Sequence, residues 1–173
     1  MLNLLHFQLQ EANIDLHRVY EVVPVVWIDI GQMEQVLLNI YKNALQSMPE
    51  GGIITIACRY IGVGGSRDEK CVLPHEQGAT RTKQQESYTQ WVELVVSDTG
   101  SGMAPDQLAQ IFQPFYTTKA HGIGLGLPIT KRLIEDHGGS LRVESQLGYG
   151  TTVTIHLPVL SEEMVEGDEG RGY

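Results

Sequence analysis

Two asparagines in the first third of the chain are spaced so that they could bind a ligand together. Asn39 and Asn43 lie four residues apart, so on a helix they would share one face and could point into one cleft. An amide oxygen is a hard ligand suited to Mg²⁺, which is usually bound together with the phosphates of a nucleotide. Two solvent-facing asparagines on an amphipathic helix would show the same spacing, so the pair by itself leaves both interpretations open.

The segment 98–103, with sequence DTGSGM, could bind a flat polar ring. Asp98 follows a predicted strand, and a carboxylate at a strand end can accept a hydrogen bond from an exocyclic amine. Gly100 and Gly102 allow the backbone to approach a ring closely, and Met103 offers an adaptable apolar wall. The alternative is an ordinary Asp-Gly turn.

A second glycine-rich segment, GIGLG at 122–126, leads directly into a predicted helix. The first amides of a helix lack partners within the helix and its dipole favours anions, so the segment could seat a phosphate. A dinucleotide-binding fingerprint would be expected after the first strand of a parallel βαβ unit, and no GxxxxGK[ST] phosphate loop occurs. Both of these common phosphate-binding motifs are therefore excluded.

These candidate residues lie in or beside predicted helices and strands. Apolar residues recur at three- and four-residue steps over residues 30–48, which predicts an amphipathic helix that starts after Asp29 and stops at Pro49. Residues 125–137 are predicted as another helix, with Pro128 in its first turn. Strands are predicted at residues 12–21, 22–28, 52–61, 91–97, 140–145 and 151–158.

One domain is predicted over residues 12–160. Residues 1–11 are predicted as the helical stub of a preceding domain, and residues 161–173 as an acidic flexible tail. Residues 62–90 are rich in polar residues and glycine, and they are predicted to form a loop insertion between two strands. The length of 173 residues suits a single substantial core.

Composition limits the possible partners. A net charge of −9 argues against a general nucleic-acid-binding surface, because phosphate neutralisation needs clustered Lys and Arg. The sequence has no apolar run of membrane-spanning length and no secretion signal, so a cytoplasmic location is predicted, with a parent protein that could still be membrane-associated. Two cysteines, Cys58 and Cys71, make no metal-binding or disulfide framework.

The order of the motifs is more specific than any one of them. An asparagine helix, DTGSGM, FQPF, GIGLG and GYGT follow one another along the chain, which resembles the catalytic ATP-binding domain of sensor histidine kinases over roughly residues 12–158. The segments QVLLNIYKNALQSMPEGG, PFYTTK and GIGLGLPITKRLIEDHGG are most similar to the nitrogen-regulation type. The resemblance implies an α+β fold of the GHKL (Bergerat) type: a two-layer α/β sandwich with a mixed sheet of about five strands and helices on one face.

The resemblance also assigns roles to residues. Asn43 would be the Mg²⁺ ligand, with Asn39 and Lys42 nearby on the phosphate side, and Asp98 would read the adenine amino group of ATP. Lys119 would be the cation of the lid, the segment before the second helix, and His121 would be a weaker candidate. The implied catalytic residues are Asn39, Lys42, Asn43 and Lys119, and the implied nucleotide-binding residues are Asn39, Asn43, Asp98, Gly100, Gly102, Met103, Lys119, Gly122, Gly124, Gly126, Leu127 and Thr151.

The sequence departs from the family pattern in three ways. Gln46 stands where many relatives carry a lysine, which puts one phosphate contact in doubt. The lid between Phe115 and Gly122 is short, so modest nucleotide affinity is expected. The insertion at residues 62–90 has no assigned counterpart.

The reaction is not decided by this fold, which also serves ATPases. In those relatives a glutamate typically stands where this chain has Asn39, and an amide cannot accept a proton as a general base. The sequence therefore favours phosphorylation of a histidine on a separate dimerisation and phosphotransfer domain of the same kinase, with a response regulator as indirect partner. His6 is a poor acceptor candidate because the segment LHFQLQ lacks the acidic neighbour that usually follows the phosphorylated histidine in this family. A nucleotide-binding switch without catalysis, or a GHKL-type ATPase, are the alternatives.

Overall fold

A computed structural model describes residues 8–62, 90–119 and 122–159 of the chain. Its centre is a five-stranded sheet in the order β1-β2-β3-β5-β4. β1 pairs parallel to β2, and the other three pairings are antiparallel. The strands are β1 (Ile14–Tyr20), β2 (Gly52–Ile61), β3 (Trp91–Asp98), β4 (Ser140–Gln146) and β5 (Gly150–Pro158). The predicted mixed sheet is confirmed, and β3 is its central strand.

Three helices are labelled α1 (Ile30–Ser47), α2 (Pro105–Leu108) and α3 (Gly126–Asp136). α1 begins where the sequence predicts, because the Asp29 side chain accepts a hydrogen bond of 2.8 Å from the Gln32 N–H. Its buried residues are Met33, Val36, Ile40 and Ala44, which follow the predicted three- and four-residue steps. Residues 8–11 are also helical.

The core lies between the helices and one face of the sheet. Val36 of α1, Ile54 of β2, Ile134 of α3 and Ile155 of β5 each expose less than 2 % of their surface. Burial of such a side chain stabilises the fold by about 1.5–3 kcal/mol. This core fixes α1 and α3 side by side above the sheet, which is the predicted two-layer arrangement.

The opposite face of the sheet carries a row of polar residues across three strands. The buried carboxylate of Glu93 on β3 pairs with the Arg59 guanidinium on β2 and lies 2.9 Å from Nε2 of His156 on β5. Buried charge is costly unless it is paired, so the contacts with Arg59 and His156 stabilise the buried Glu93 carboxylate.

The prediction of a strand at residues 22–28 is wrong. The segment contributes only an isolated bridge between Val26 and Val159, and its side chains Val22 and Trp27 are 98 % and 79 % exposed. Pro24 removes a backbone donor from the middle of the segment, and a β-rich composition does not supply a pairing partner.

The predicted stub, insertion and tail fall largely outside the described residues. Residues 1–7, 63–89 and 160–173 are among those not described, so the predicted domain boundaries stay predictions. Over the described ranges, none of the helices is both long and apolar enough to cross a membrane.

Candidate active site

A cavity of about 780 Å³ opens between α1, the ends of β3 and β5, and the lid, which the structure describes at residues 116–119 and 122–125. This volume lies in the range of about 300–1,000 Å³ that is usual for small-molecule and cofactor sites. The predicted residues that line the cavity are Asn39, Lys42, Asn43, Asp98, Gly102, Met103, Lys119, Gly122, Gly124, Gly126, Leu127 and Thr151. Residues far apart in the sequence are thus brought to one place, although their individual roles remain predictions.

Asp98 forms one end of the cavity, at the last residue of β3. Its Oδ1 accepts hydrogen bonds from the Gly100 N–H at 2.9 Å and from the Ser47 hydroxyl at 3.1 Å. Burial raises the pKa of this carboxyl, while hydrogen bonds from Gly100, Ser47 and Thr151 act in the opposite direction. The carboxylate is therefore half-buried and fixed in orientation, which suits it to read a donor on a planar ligand.

Ser47 was not identified from the sequence. Its hydroxyl lies 2.7 Å from the Ala44 carbonyl oxygen as well as near Asp98, and its own carbonyl accepts the Ser101 N–H at 3.0 Å. Ser47 thus joins the end of α1 to the loop after β3. Its position four residues after Asn43, on the same helix face, is the sequence signal that could have found it.

Gly100 is the one predicted binding residue that the structure does not bring to the cavity wall. A Cβ at Gly100 would lie 2.0 Å from Oγ of Ser47, so the residue packs against α1 behind Asp98. Its backbone N–H holds the Asp98 carboxylate instead of facing a ring. The close approach of two chain segments therefore explains why a glycine stands at this position.

Gly102 brings the loop after β3 against the turn between β4 and β5. It has φ +61°, and a Cβ there would lie 2.0 Å from the Gln146 carbonyl oxygen. Next to it the Met103 N–H donates to Oγ of Ser145 at 2.9 Å, and Ser145 in turn lies 2.9 Å from the Thr151 hydroxyl. The contact fixes Thr151 beside Asp98 at the same end of the cavity.

Asn39 links α1 to the start of α3. Its Nδ2 lies 3.3 Å from the carbonyl oxygen of Gly126 and 3.3 Å from Oγ1 of Thr130, which is fully buried. The side chain therefore holds the first turn of α3, whose N–H groups have no partners within the helix, against the cavity. Thr130, like Ser47, is a contributing residue that the motifs did not reveal.

Lys119 reaches from the lid across the cavity to α1. Its Nζ donates to Oδ1 of Asn43 at 2.7 Å and to Oε1 of Gln46 at 2.5 Å. Burial lowers the pKa of this ammonium. His121, the other predicted lid cation, lies outside the described residues.

The donors around the cavity fit a nucleotide with its metal. A carboxylate and a hydroxyl stand at one end, and amide oxygens, an ammonium and the start of α3 stand at the other. The Asn43 amide oxygen is of the hard type that Mg²⁺ prefers, and it lines the cavity, where it accepts a hydrogen bond from the Lys119 ammonium.

The family described as histidine kinase-, DNA gyrase B-, and HSP90-like ATPase matches residues 28–161 of the chain. The chain belongs to this family. Among curated relatives, the sensor histidine kinase ZraS of Escherichia coli K12 is 36% identical over 139 residues, which cover 80% of this chain and 24% of ZraS. Sporulation kinase E of Bacillus subtilis is 33% identical over 159 residues, which cover 91% of this chain and 18% of that kinase.

Solved structures of histidine kinases share the fold. The catalytic domain of histidine kinase ThkA is 27% identical with a TM-score of 0.64, and the match covers 90% of this chain and 86% of that domain. Full-length ShkA, solved in complex with AMPPNP, is 27% identical with a TM-score of 0.67, over 92% of this chain and 28% of ShkA. The chain thus spans most of the ThkA catalytic domain and about a quarter of the length of a relative such as ZraS. The nitrogen-regulation subtype stays a prediction.

Proposed function

We propose that this chain is the ATP·Mg-binding catalytic domain of a sensor histidine kinase, which donates the γ-phosphoryl group to a histidine on a separate domain of the same kinase. The observation that carries the proposal is that Asp98 and Asn43 line one cavity of nucleotide size. The relatives support the proposal. They are sensor and sporulation kinases, and the chain is also similar to a solved catalytic domain of a histidine kinase.

The adenine end is assigned to Asp98 and Thr151. The ionised carboxylate accepts from the exocyclic amine of adenine, and the Thr151 hydroxyl, held by Ser145, supports the same ring directly or through a water. A hydrogen bond to a charged group contributes about 1.5–3 kcal/mol, enough to select a base that has a donor at that position. Met103 and the backbone at Gly102 line the cavity beside them.

The phosphate end is assigned to α1, Lys119 and the start of α3. Asn43 holds Mg²⁺, which neutralises charge on the phosphates when it is bound. Lys42, exposed at the cavity rim, and Lys119 add positive charge, and the N–H groups at the start of α3 donate hydrogen bonds to phosphate oxygens. Gly122 and Gly124 let the lid lie close to the triphosphate.

The contacts of Asn39 favour a histidine acceptor over water. Its amide nitrogen donates to Gly126 and Thr130, so the side chain acts as a brace and not as a base. A histidine ring nitrogen is already a nucleophile, so positioning and charge neutralisation carry most of the catalysis. None of the histidines that the structure describes, His17, His137 and His156, lines the cavity, and the acceptor is proposed to come from the dimerisation and phosphotransfer domain. A response regulator would then receive the phosphoryl group.

The test is reconstitution with that domain. The chain is mixed with the dimerisation and phosphotransfer domain of its own kinase and with labelled ATP, and acid-labile phosphate on the acceptor is measured. Label is expected with the native chain, and Asn43→Ala is expected to reduce the rate at least 100-fold because metal positioning is lost. ATP binding without any label transfer would contradict the kinase assignment.

One observation favours a second candidate, a nucleotide-binding switch without catalysis. The Lys119 ammonium donates a hydrogen bond to Oδ1 of Asn43, the oxygen that Mg²⁺ would need, so the cavity could bind a nucleotide without the metal. Titration of the chain with ATP in EDTA and in Mg²⁺ separates the two functions. The kinase requires much tighter binding with Mg²⁺, whereas equal binding in both conditions would support the switch.

A further inference from the structure

Gln46 and Lys119 form a contact that no motif assigns. Gln46 stands three residues after Asn43 on α1, so the two side chains are neighbours on one helix face. Their amide oxygens, at 2.5 Å and 2.7 Å from Nζ of Lys119, hold one ammonium between them. Two of the three N–H donors of the lysine are thereby used, and one remains.

The two amide oxygens are not equivalent once a metal arrives. Mg²⁺ requires the Asn43 oxygen in the proposed site, and repulsion between two cations on one oxygen favours the release of Lys119 from it. Gln46 has no such second duty, so it can keep Lys119 after Asn43 has released it. The ammonium then has two free donors on the side that faces the cavity, where the phosphates would lie.

An amide is suited to this role because it binds the ammonium without cancelling its charge. A glutamate at the same position would pair with Lys119 more strongly, but it would neutralise the charge and place an anion beside the phosphates. Glutamine leaves the full positive charge available for a phosphate oxygen. This explains why a lysine in the lid is paired with a neutral residue, Gln46, on α1.

We propose that Gln46 is a positioning residue that holds Lys119 at the phosphate end of the cavity while Asn43 passes from Lys119 to Mg²⁺. The proposal rests on the proposed function, because it needs ATP·Mg in this cavity. It makes Gln46 a partner in phosphate binding, at a position where the departure from the family pattern puts one phosphate contact in doubt.

The experiment is a double-mutant cycle on nucleotide affinity, measured by calorimetry in Mg²⁺ with the whole chain. Gln46→Leu and Lys119→Met are each expected to weaken ATP binding about 10-fold, and the double variant by no more than about twofold beyond the weaker single. Adenosine affinity is expected to stay within about twofold in all three variants, because the contact acts on phosphates only. A general loss of structure would instead weaken the binding of both ATP and adenosine.

Three further variants complete the design. Gln46→Glu is expected to weaken ATP binding at least as much as Gln46→Leu, although it strengthens the pairing with Lys119. Gln10→Leu and Lys131→Met make the same chemical changes outside the cavity lining and are expected to leave both affinities unchanged. The melting temperature of each variant is measured alongside, so that unfolding is not mistaken for lost binding.

The failures of the two proposals are distinguishable. If the native chain binds adenosine but not ATP·Mg, or binds neither, the proposed function fails and this inference fails with it. If the native chain binds ATP·Mg but the effects of Gln46→Leu and Lys119→Met multiply, Gln46 does not act through Lys119 and the inference alone is overturned. An unaffected Gln46→Leu variant overturns it in the same way.

Discussion

Replacement of Gly102 by alanine tests whether the contact between the loop after β3 and the β4–β5 turn holds the site together. The new Cβ would lie 2.0 Å from the Gln146 carbonyl oxygen, so the backbone must move. A left-handed φ for alanine costs about 1–2 kcal/mol, overpacking adds about 1–3 kcal/mol, and each lost hydrogen bond adds about 1 kcal/mol. Two such bonds are at risk, from Met103 N–H to Ser145 and from Gly148 N–H to the Ser101 carbonyl oxygen. The free energy of unfolding should therefore fall by about 4–7 kcal/mol, which urea denaturation followed by circular dichroism measures.

Gly148→Ala is the matched control for this prediction. Gly148 has φ +82°, yet among the described residues no atom lies within 4 Å of a Cβ built there. Only the backbone cost of about 1–2 kcal/mol is expected, so the two variants should differ by about 3–5 kcal/mol. Equal losses in the two variants would show that the turn gives way freely and that the close contact does not hold the loop.

Two further predictions concern Asp98 and Asn39. Asp98→Asn should weaken ATP binding about 10- to 100-fold, because a carboxamide cannot supply the charged acceptor, and calorimetry measures the loss. Burial raises the pKa of Asp98, so ATP affinity should fall on acidification at a pH above the usual aspartate value of about 3.9, and Asp98→Asn should lack this component. The same raised pKa means that the ionised carboxyl lowers the stability of the fold, and this cost disappears as the pH falls through the folded-state pKa. Asn39→Leu should reduce the free energy of unfolding by about 1–3 kcal/mol, since it removes the side-chain donor that contacts both the Gly126 carbonyl and the buried Thr130 hydroxyl, and an unchanged urea midpoint would contradict this brace.

The elements that sequence predicts best are those whose signals are local. The cap at Asp29 and the apolar steps of α1 lie within the helix itself, and both appear where expected. Residues 22–28 had the composition of a strand, but a strand also needs a neighbour, and composition carries no information about the neighbour. Strand propensity therefore predicted a strand correctly where the segment pairs with a neighbouring strand of the sheet, and wrongly where it does not.

The residues around the site show the same division. The glycine motifs are recognisable in the sequence because the residues of each motif lie close together along the chain, and the two motifs lie at the two ends of the cavity. Ser47 meets Asp98 across 51 positions, and Asn39 meets Thr130 across 91, so neither contact has a local signature. The glycine at position 100 predicts a close approach of the backbone to another group, and in the structure that group is Ser47 of α1, not a bound ring.

The two ends of the cavity are built from parts of unequal stability. The end that contains Asp98 lies at β3, which is hydrogen-bonded on both sides within the sheet, whereas the end that contains Asn43 and Lys119 depends on the lid and on the first turn of a helix. Amide protons at the strand are thus expected to exchange with solvent only on global unfolding, and those near Gly124 through small fluctuations. A nucleoside would accordingly still bind at the β3 end in conformers whose lid has opened and no longer contacts the triphosphate.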